Sequence, residues 1–112
     1  MRLLASLTAY VDYVIANHEG YRSLVRAAVG GNEAVRQIYE RARSRMIDRT
    51  FETPGVDAFL ADTAQTRLVV RGWVAFVEDT VLTWCDAPNG VTRDELVQIV
   101  TDALPALIAT LA

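Results

Sequence analysis

The sequence predicts an all-α domain, and three observations carry that prediction. Apolar residues recur at steps of three and four along most of the chain, the period of one helix face. No stretch alternates with the period of two that a half-buried strand requires. Most Gly and Pro residues fall between the periodic segments, where a chain changes direction.

Leu3, Leu4, Leu7, Val11, Val14 and Ile15 mark the first helix, which Asn17-His18-Glu19-Gly20 interrupts. Tyr21, Leu24, Val25 and Ala28 mark the second, ended by Gly30-Gly31, since glycine is favoured just past a helix end. Asn32 is the expected N-cap of the third helix, with Glu33 near the positive end of its dipole. Val35, Ile38, Tyr39, Ala42 and Met46 carry it toward Phe51, and Thr53-Pro54-Gly55 stops it. Asp57 to Ala61 reads as a short helical turn in the connection. Asp62-Thr63-Ala64-Gln65 then resembles a capping box, with Gln65 reaching back to the Asp62 amide. The fourth helix runs to about Cys85, where Asp86-Ala87-Pro88-Asn89-Gly90 signals a turn. A stronger capping box, Thr92-Arg93-Asp94-Glu95, opens the last helix. Pro105 lies within that helix and is predicted to kink it, because the Thr101 carbonyl loses its usual donor.

At 112 residues the chain has the size of one domain, and at 52% hydrophobic and 22% charged it is too apolar for a disordered tail. Eleven basic residues, all Arg, against fourteen acidic ones give a formal charge of −3, which argues against a free-standing nucleic-acid binder. The single cysteine, Cys85, makes no internal disulfide and builds no metal site alone. Apolar runs such as Leu68-Val69-Val70 are too short to span a bilayer, and the amino end lacks the apolar core of a signal peptide, so the expected compartment is the cytoplasm. No phosphate-binding glycine loop, metal-ligand spacing or Ser/His/Asp arrangement is present, so neither an enzyme nor a cofactor is expected.

The fourth and fifth helices carry apolar residues on more than one side. Val69, Trp73, Phe76, Thr80 and Trp84 step by four, three, four and four along one face, flanked by Val77. Leu96, Val100, Ala103, Leu107 and Leu111 repeat those steps on the last helix, flanked by Ile99. Such seams suit shallow-angle packing in a helical bundle. They can pack on each other within one subunit. Alternatively, the inner side of the fourth helix serves the first three helices, and Trp73, Phe76 and Trp84 face outward. Each aromatic side chain buries on the order of 150–250 Å², so an outward set predicts a symmetric dimer that pairs both seams with their copies.

The chain resembles the carboxy-terminal domain of tetracycline-repressor-like (TetR) transcription regulators. The resemblance lies in Tyr10-Val11-Asp12-Tyr13-Val14-Ile15-Ala16-Asn17-His18-Glu19-Gly20-Tyr21, then Arg71-Gly72-Trp73-Val74-Ala75-Phe76-Val77-Glu78 continuing to Trp84, then Thr92-Arg93-Asp94-Glu95-Leu96-Val97. It implies a homodimer built on a four-helix bundle from the last two helices of each subunit. It also implies a cavity for a small-molecule effector within each subunit, which controls two amino-terminal DNA-reading heads. Family members carry a helix-turn-helix domain ahead of this one. Nothing before Leu3 corresponds to it, so DNA binding is expected only through a domain missing from these residues. The alternative is a free-standing helical dimerisation or adaptor module with neither ligand nor DNA.

Under the resemblance, the expected cavity lining is Tyr10, Tyr13 and Val14 from the first helix and Tyr21 and Val25 from the second. Tyr39 and Met46 follow from the third, with Val70, Val74 and Glu78 from the fourth. The opposing reading makes these ordinary core residues with tyrosine hydroxyls at the surface. Glu78 either pairs with Arg71, seven residues earlier on the same face, or meets a ligand bearing a donor or a cation. Arg41, Arg45 and Arg49 form an i, i+4 stripe with Arg43 on another side. Glu40, Asp48 and Glu52 nearby favour a solvated, partly paired face. His18 is expected at a helix end or on the surface.

Overall fold

The computed structural model describes residues 2–111, and every regular element among them is helical. The elements are α1 (Arg2–Ala16), α2 (His18–Val29), α3 (Glu33–Glu52), a 3₁₀ turn (Val56–Ala58), α4 (Ala64–Asp86) and α5 (Arg93–Ala109). The break between α1 and α2 is narrower than the sequence suggests: Asn17 alone separates them, and its side-chain amide donates to the Tyr13 carbonyl at 2.9 Å. Asn32 caps α3 by accepting from the Val35 amide at 3.1 Å.

The cap of α4 is shifted by one residue from the expected Asp62. Thr63 is the N-cap, its hydroxyl accepting from the Thr66 amide while the Thr66 hydroxyl accepts from the Thr63 amide. Asp62 is otherwise engaged, since Arg67 donates to its two oxygens at 2.6 and 2.9 Å. Thr92 and Glu95 form the capping box of α5 as expected. That helix continues through Pro105 to Ala109.

α1, α4 and α5 enclose the core. Leu3, Leu7, Val11 and Val14 form one stripe of α1, and Val70, Val74, Val77 and Val81 of α4 meet it. Leu96, Val97, Val100 and Leu104 complete the core from α5. α4 and α5 are antiparallel neighbours, and α2 and α3 pair with each other across α4. In contrast, α2 and α3 bury little: Ala28 is the buried residue of α2, and Ile47 and Thr50 are those of α3.

The α4–α5 seam differs from the outward face expected for Trp73. Trp73 is 3% exposed, and its indole N–H donates to the Val100 carbonyl of α5 at 2.9 Å. Val77, Leu96 and Val100 are buried beside it. Trp84 is half-buried and donates to the Val91 carbonyl at 2.8 Å. The reason is angular. Phe76 lies about 60° around α4 from Trp73, enough for one to sit beneath α5 and the other outside it. Phe76 is 40% exposed, and Ile99 of α5 is 49% exposed. Leu68, Leu107 and Leu111 are exposed as well, while Val69, Thr80 and Ala103 are half-buried along the seam. Among the described residues no helix is long and apolar enough to cross a membrane.

Trp73→Ala removes both the ring and its hydrogen bond to α5. A loss of about 3–5 kcal/mol of unfolding free energy is expected, read from urea denaturation. A loss near zero would place the indole outside the core.

Candidate functional site

A cavity of about 690 Å³ opens between α1, α2, α3 and α4. Each helix contributes one face. Leu3, Leu7 and Tyr10 come from α1, at steps of four and three, and Tyr21 and Leu24 come from α2. Tyr39, Ala42, Arg43, Met46, Arg49 and Thr50 follow the same period on α3. Trp73, Val74, Val77 and Glu78 close it from α4. Ser6, Ala9, Tyr13, Arg45 and Arg49 are exposed and form the rim.

The polar wall is organised on Glu78, which is 8% exposed. Its Oε2 accepts from the Tyr21 hydroxyl at 2.9 Å. Its Oε1 accepts from the Tyr39 hydroxyl and from the Arg43 guanidinium, the latter at 3.2 Å. Arg43 also donates to the Tyr39 hydroxyl and lies over the Tyr39 ring, 4.9 Å from its centre. The Tyr10 and Tyr21 hydroxyls are 3.0 Å apart, with their rings edge to face. A carboxylate has no proton to give, so Tyr21 spends its only hydroxyl proton on Glu78. Tyr10 is therefore the donor to Tyr21, and its own oxygen is left as an acceptor.

Burial, above all, raises the pKa of all three phenols. Tyr10 is pushed up to about 12. Tyr21 rises further, helped by the neighbouring Tyr10, and Tyr39 rises through its bond to Glu78. These phenols are neutral donors across the physiological range.

Of the expected lining residues, Tyr10, Tyr13, Tyr21, Tyr39, Met46, Val74 and Glu78 reach the cavity. Val14 and Val70 do not, because both are fully buried in the α1–α4–α5 core, and Val25 packs half-buried against that core. Trp73, expected at a subunit interface, lines the cavity instead. The expected Arg71–Glu78 pair is also corrected. Arg71 donates to Glu40 of α3 at 2.8 Å on the surface, and the partner of Glu78 is Arg43. Since Glu78 is already matched by a cation and two hydroxyls, no cationic ligand is needed to balance it.

Sequence reasoning missed Arg43, which was set apart from the stripe of Arg41, Arg45 and Arg49. Its signal was present: Arg43 stands four residues after Tyr39 and three before Met46, so it shares their face. Of the acidic residues nearby on α3, Asp48 pairs with Arg67 at 2.9 Å and Glu40 with Arg71 at 2.8 Å, while Glu52 is exposed. His18 begins α2 and lies 3.1 Å from Asp86, which Arg22 also engages. The Cys85 thiol has its pKa raised, by burial first and then by Asp86, the opposite of an activated nucleophile.

Five helices, four of them around a pocket with mainly apolar walls and a polar cluster centred on Glu78, define an all-α pocket domain. Residues 1–107 match the family model described as "Tetracyclin repressor-like, C-terminal domain". The chain belongs to this family, and is thus a domain of the tetracycline-repressor-like transcription regulators. No match was found among the curated proteins or the solved structures.

Removing Glu78 strands the Arg43 charge. Glu78→Leu is expected to cost about 3–5 kcal/mol, and adding Arg43→Met should restore more than half of that loss in urea denaturation. An unchanged loss in the double variant would show that the pair is not coupled. The phenols set the alkaline limit. Their folded values lie above the unfolded value of about 10, so their contribution is complete below that pH and is lost as pH climbs toward the folded values. Thermal stability should fall between about pH 10 and pH 12. Tyr10→Phe should lessen the fall, and a melting temperature flat across that window would contradict the burial of these groups.

Proposed function

We propose that this domain binds a small-molecule effector in the α1–α4 cavity and dimerises through the outer side of the α4–α5 hairpin. It would thereby control, in the cytoplasm, DNA binding by a helix-turn-helix head outside these residues. The observation that carries this reading is the cavity itself. Its volume, about 690 Å³, falls in the range of small-molecule sites, about 300–1,000 Å³. Its walls are mainly apolar, and its polar groups converge from four helices. The family membership supports regulation.

The dimer part of the proposal rests on the exposed Phe76 of α4 with the exposed Ile99 and Leu107 of α5. These side chains follow the outer edges of two adjacent antiparallel helices, the arrangement from which a two-fold four-helix bundle forms. Trp73, Val77, Leu96 and Val100 contribute indirectly, by joining the two helices of the hairpin within one subunit. An effector then acts through its different affinities for the operator-competent and released arrangements.

Native mass spectrometry reads both parts of the proposal at once. The expected result is a dimer at micromolar concentration that retains a small molecule. Phe76→Glu with Ile99→Glu should give a folded monomer, since both positions are already substantially exposed. A monomeric wild type overturns the dimer, and no retained mass together with no thermal shift across anionic, cationic and neutral organic ligands overturns sensing.

A further inference from the structure

We infer that the ligand of this cavity is an amphipathic organic anion: an apolar body carrying a single acidic head, bound with the head at the rim beside Arg45 and Arg49. The inference deepens the effector-binding reading above and rests on it.

The charges lining the cavity are unequal. Arg43, Arg45 and Arg49 line it, against the single carboxylate of Glu78. Glu78 and Arg43 form one ion pair at the inner wall, so that pair contributes no net charge. Arg45 and Arg49 remain. They stand four residues apart on α3, exposed at the rim, and neither makes an ion pair among the described residues. Like charges at that spacing repel, and an anion placed between them relieves the repulsion.

Among the described residues, the nearby carboxylates do not take that role. Glu40 and Asp48, also on α3, are engaged by Arg71 and Arg67 of α4, and Asp12 of α1 is engaged by Arg93. Glu52 is exposed, does not line the cavity and pairs with neither rim arginine. Inward from the rim the wall turns apolar, with Leu7, Met46, Trp73 and Val74. A cationic ligand fits this arrangement poorly. It would pass two arginines to reach a carboxylate whose oxygens already accept from Tyr21, Tyr39 and Arg43. An anion with an apolar body instead meets complementary charge at the rim and apolar surface within, and guanidinium groups suit carboxylate heads geometrically.

The test varies the head on two bodies, decyl and naphthyl, each as carboxylate, alcohol and quaternary ammonium, titrated calorimetrically below any micelle concentration. At least one carboxylate should bind about tenfold more tightly than its alcohol, and more tightly still than its ammonium. Arg45→Gln with Arg49→Gln should erase that advantage while leaving alcohol binding unchanged, which also shows that the cavity remains folded. Equal affinity across the heads, or preference for the ammonium, overturns the anion inference and leaves the cavity reading standing. A carboxylate preference that survives the double substitution overturns the rim as its source. Failure of all six compounds to bind counts against the effector-binding reading itself.

Discussion

The burial of Glu78 is the constraint on which the cavity half of the molecule depends. A carboxylate taken out of water needs donors from elsewhere, and leaving it unmatched costs more than most single contacts can offset. α4 cannot supply them, because the residues one turn before and after Glu78 on that helix, Val74, Ala75, Val81 and Leu82, are apolar. Tyr21 of α2 and Tyr39 and Arg43 of α3 do so, and Tyr10 of α1 joins through Tyr21. One side chain thereby fixes the approach of three helices to a fourth. This matters most for α2 and α3, which bury so little apolar surface that hydrophobic packing alone specifies their placement weakly. Surface pairs between α3 and α4, Arg71 with Glu40 and Arg67 with Asp48, add alignment more than stability, being exposed.

The other half is built differently. α1, α4 and α5 share a dense core of Leu and Val, with Trp73 tied by its indole N–H to the backbone of α5. Trp73 serves both halves, lining the cavity as well as packing beneath the hairpin. The molecule thus joins a tightly packed unit to a thinly packed one, with the cavity along their boundary. Elements with few buried apolar contacts open and shift at lower free energy than core helices. The wall formed by α2 and α3 is therefore the adjustable one, and the wall formed by α1 and α4 the fixed one.

Much of this was legible from residue order. Helix number, the Asn32 and Thr92 caps and the turn at Asp86–Gly90 follow from local chemistry, which acts within a few residues. The tyrosines of the cavity were legible too, because large amphipathic side chains on an inward face leave few other places for a pocket. Choices that depend on tertiary geometry were not. Arg71 and Arg43 are equally plausible partners for Glu78 by charge, and only the approach of α3 decides between them. Trp73 and Phe76 share a periodic face on a helical wheel, yet a 60° difference places one under α5 and the other outside. Val14 and Val70 illustrate the same limit, since an apolar residue on an inner face serves a core or a cavity equally well. The cap of α4 moved to Thr63 because Arg67, on the helix itself, took up Asp62.

The position of the rim arginines bears on how occupancy could be read out. Arg45 and Arg49 belong to α3, the adjustable wall, whereas most of the apolar residues lining the cavity belong to α1 and α4. A ligand engaging both would bridge the two halves of the subunit, its head held by one and its body by the other. Its binding free energy would then differ between arrangements in which α3 lies closer to α4 or farther from it. That difference is what an effector requires to shift a conformational equilibrium, whereas equal affinity for both arrangements shifts nothing. α1 lines the cavity with Leu3 and Leu7 and uses the same residues in the core. A change at the boundary therefore bears on the helix nearest the amino terminus, the end at which the proposed DNA-reading head would attach.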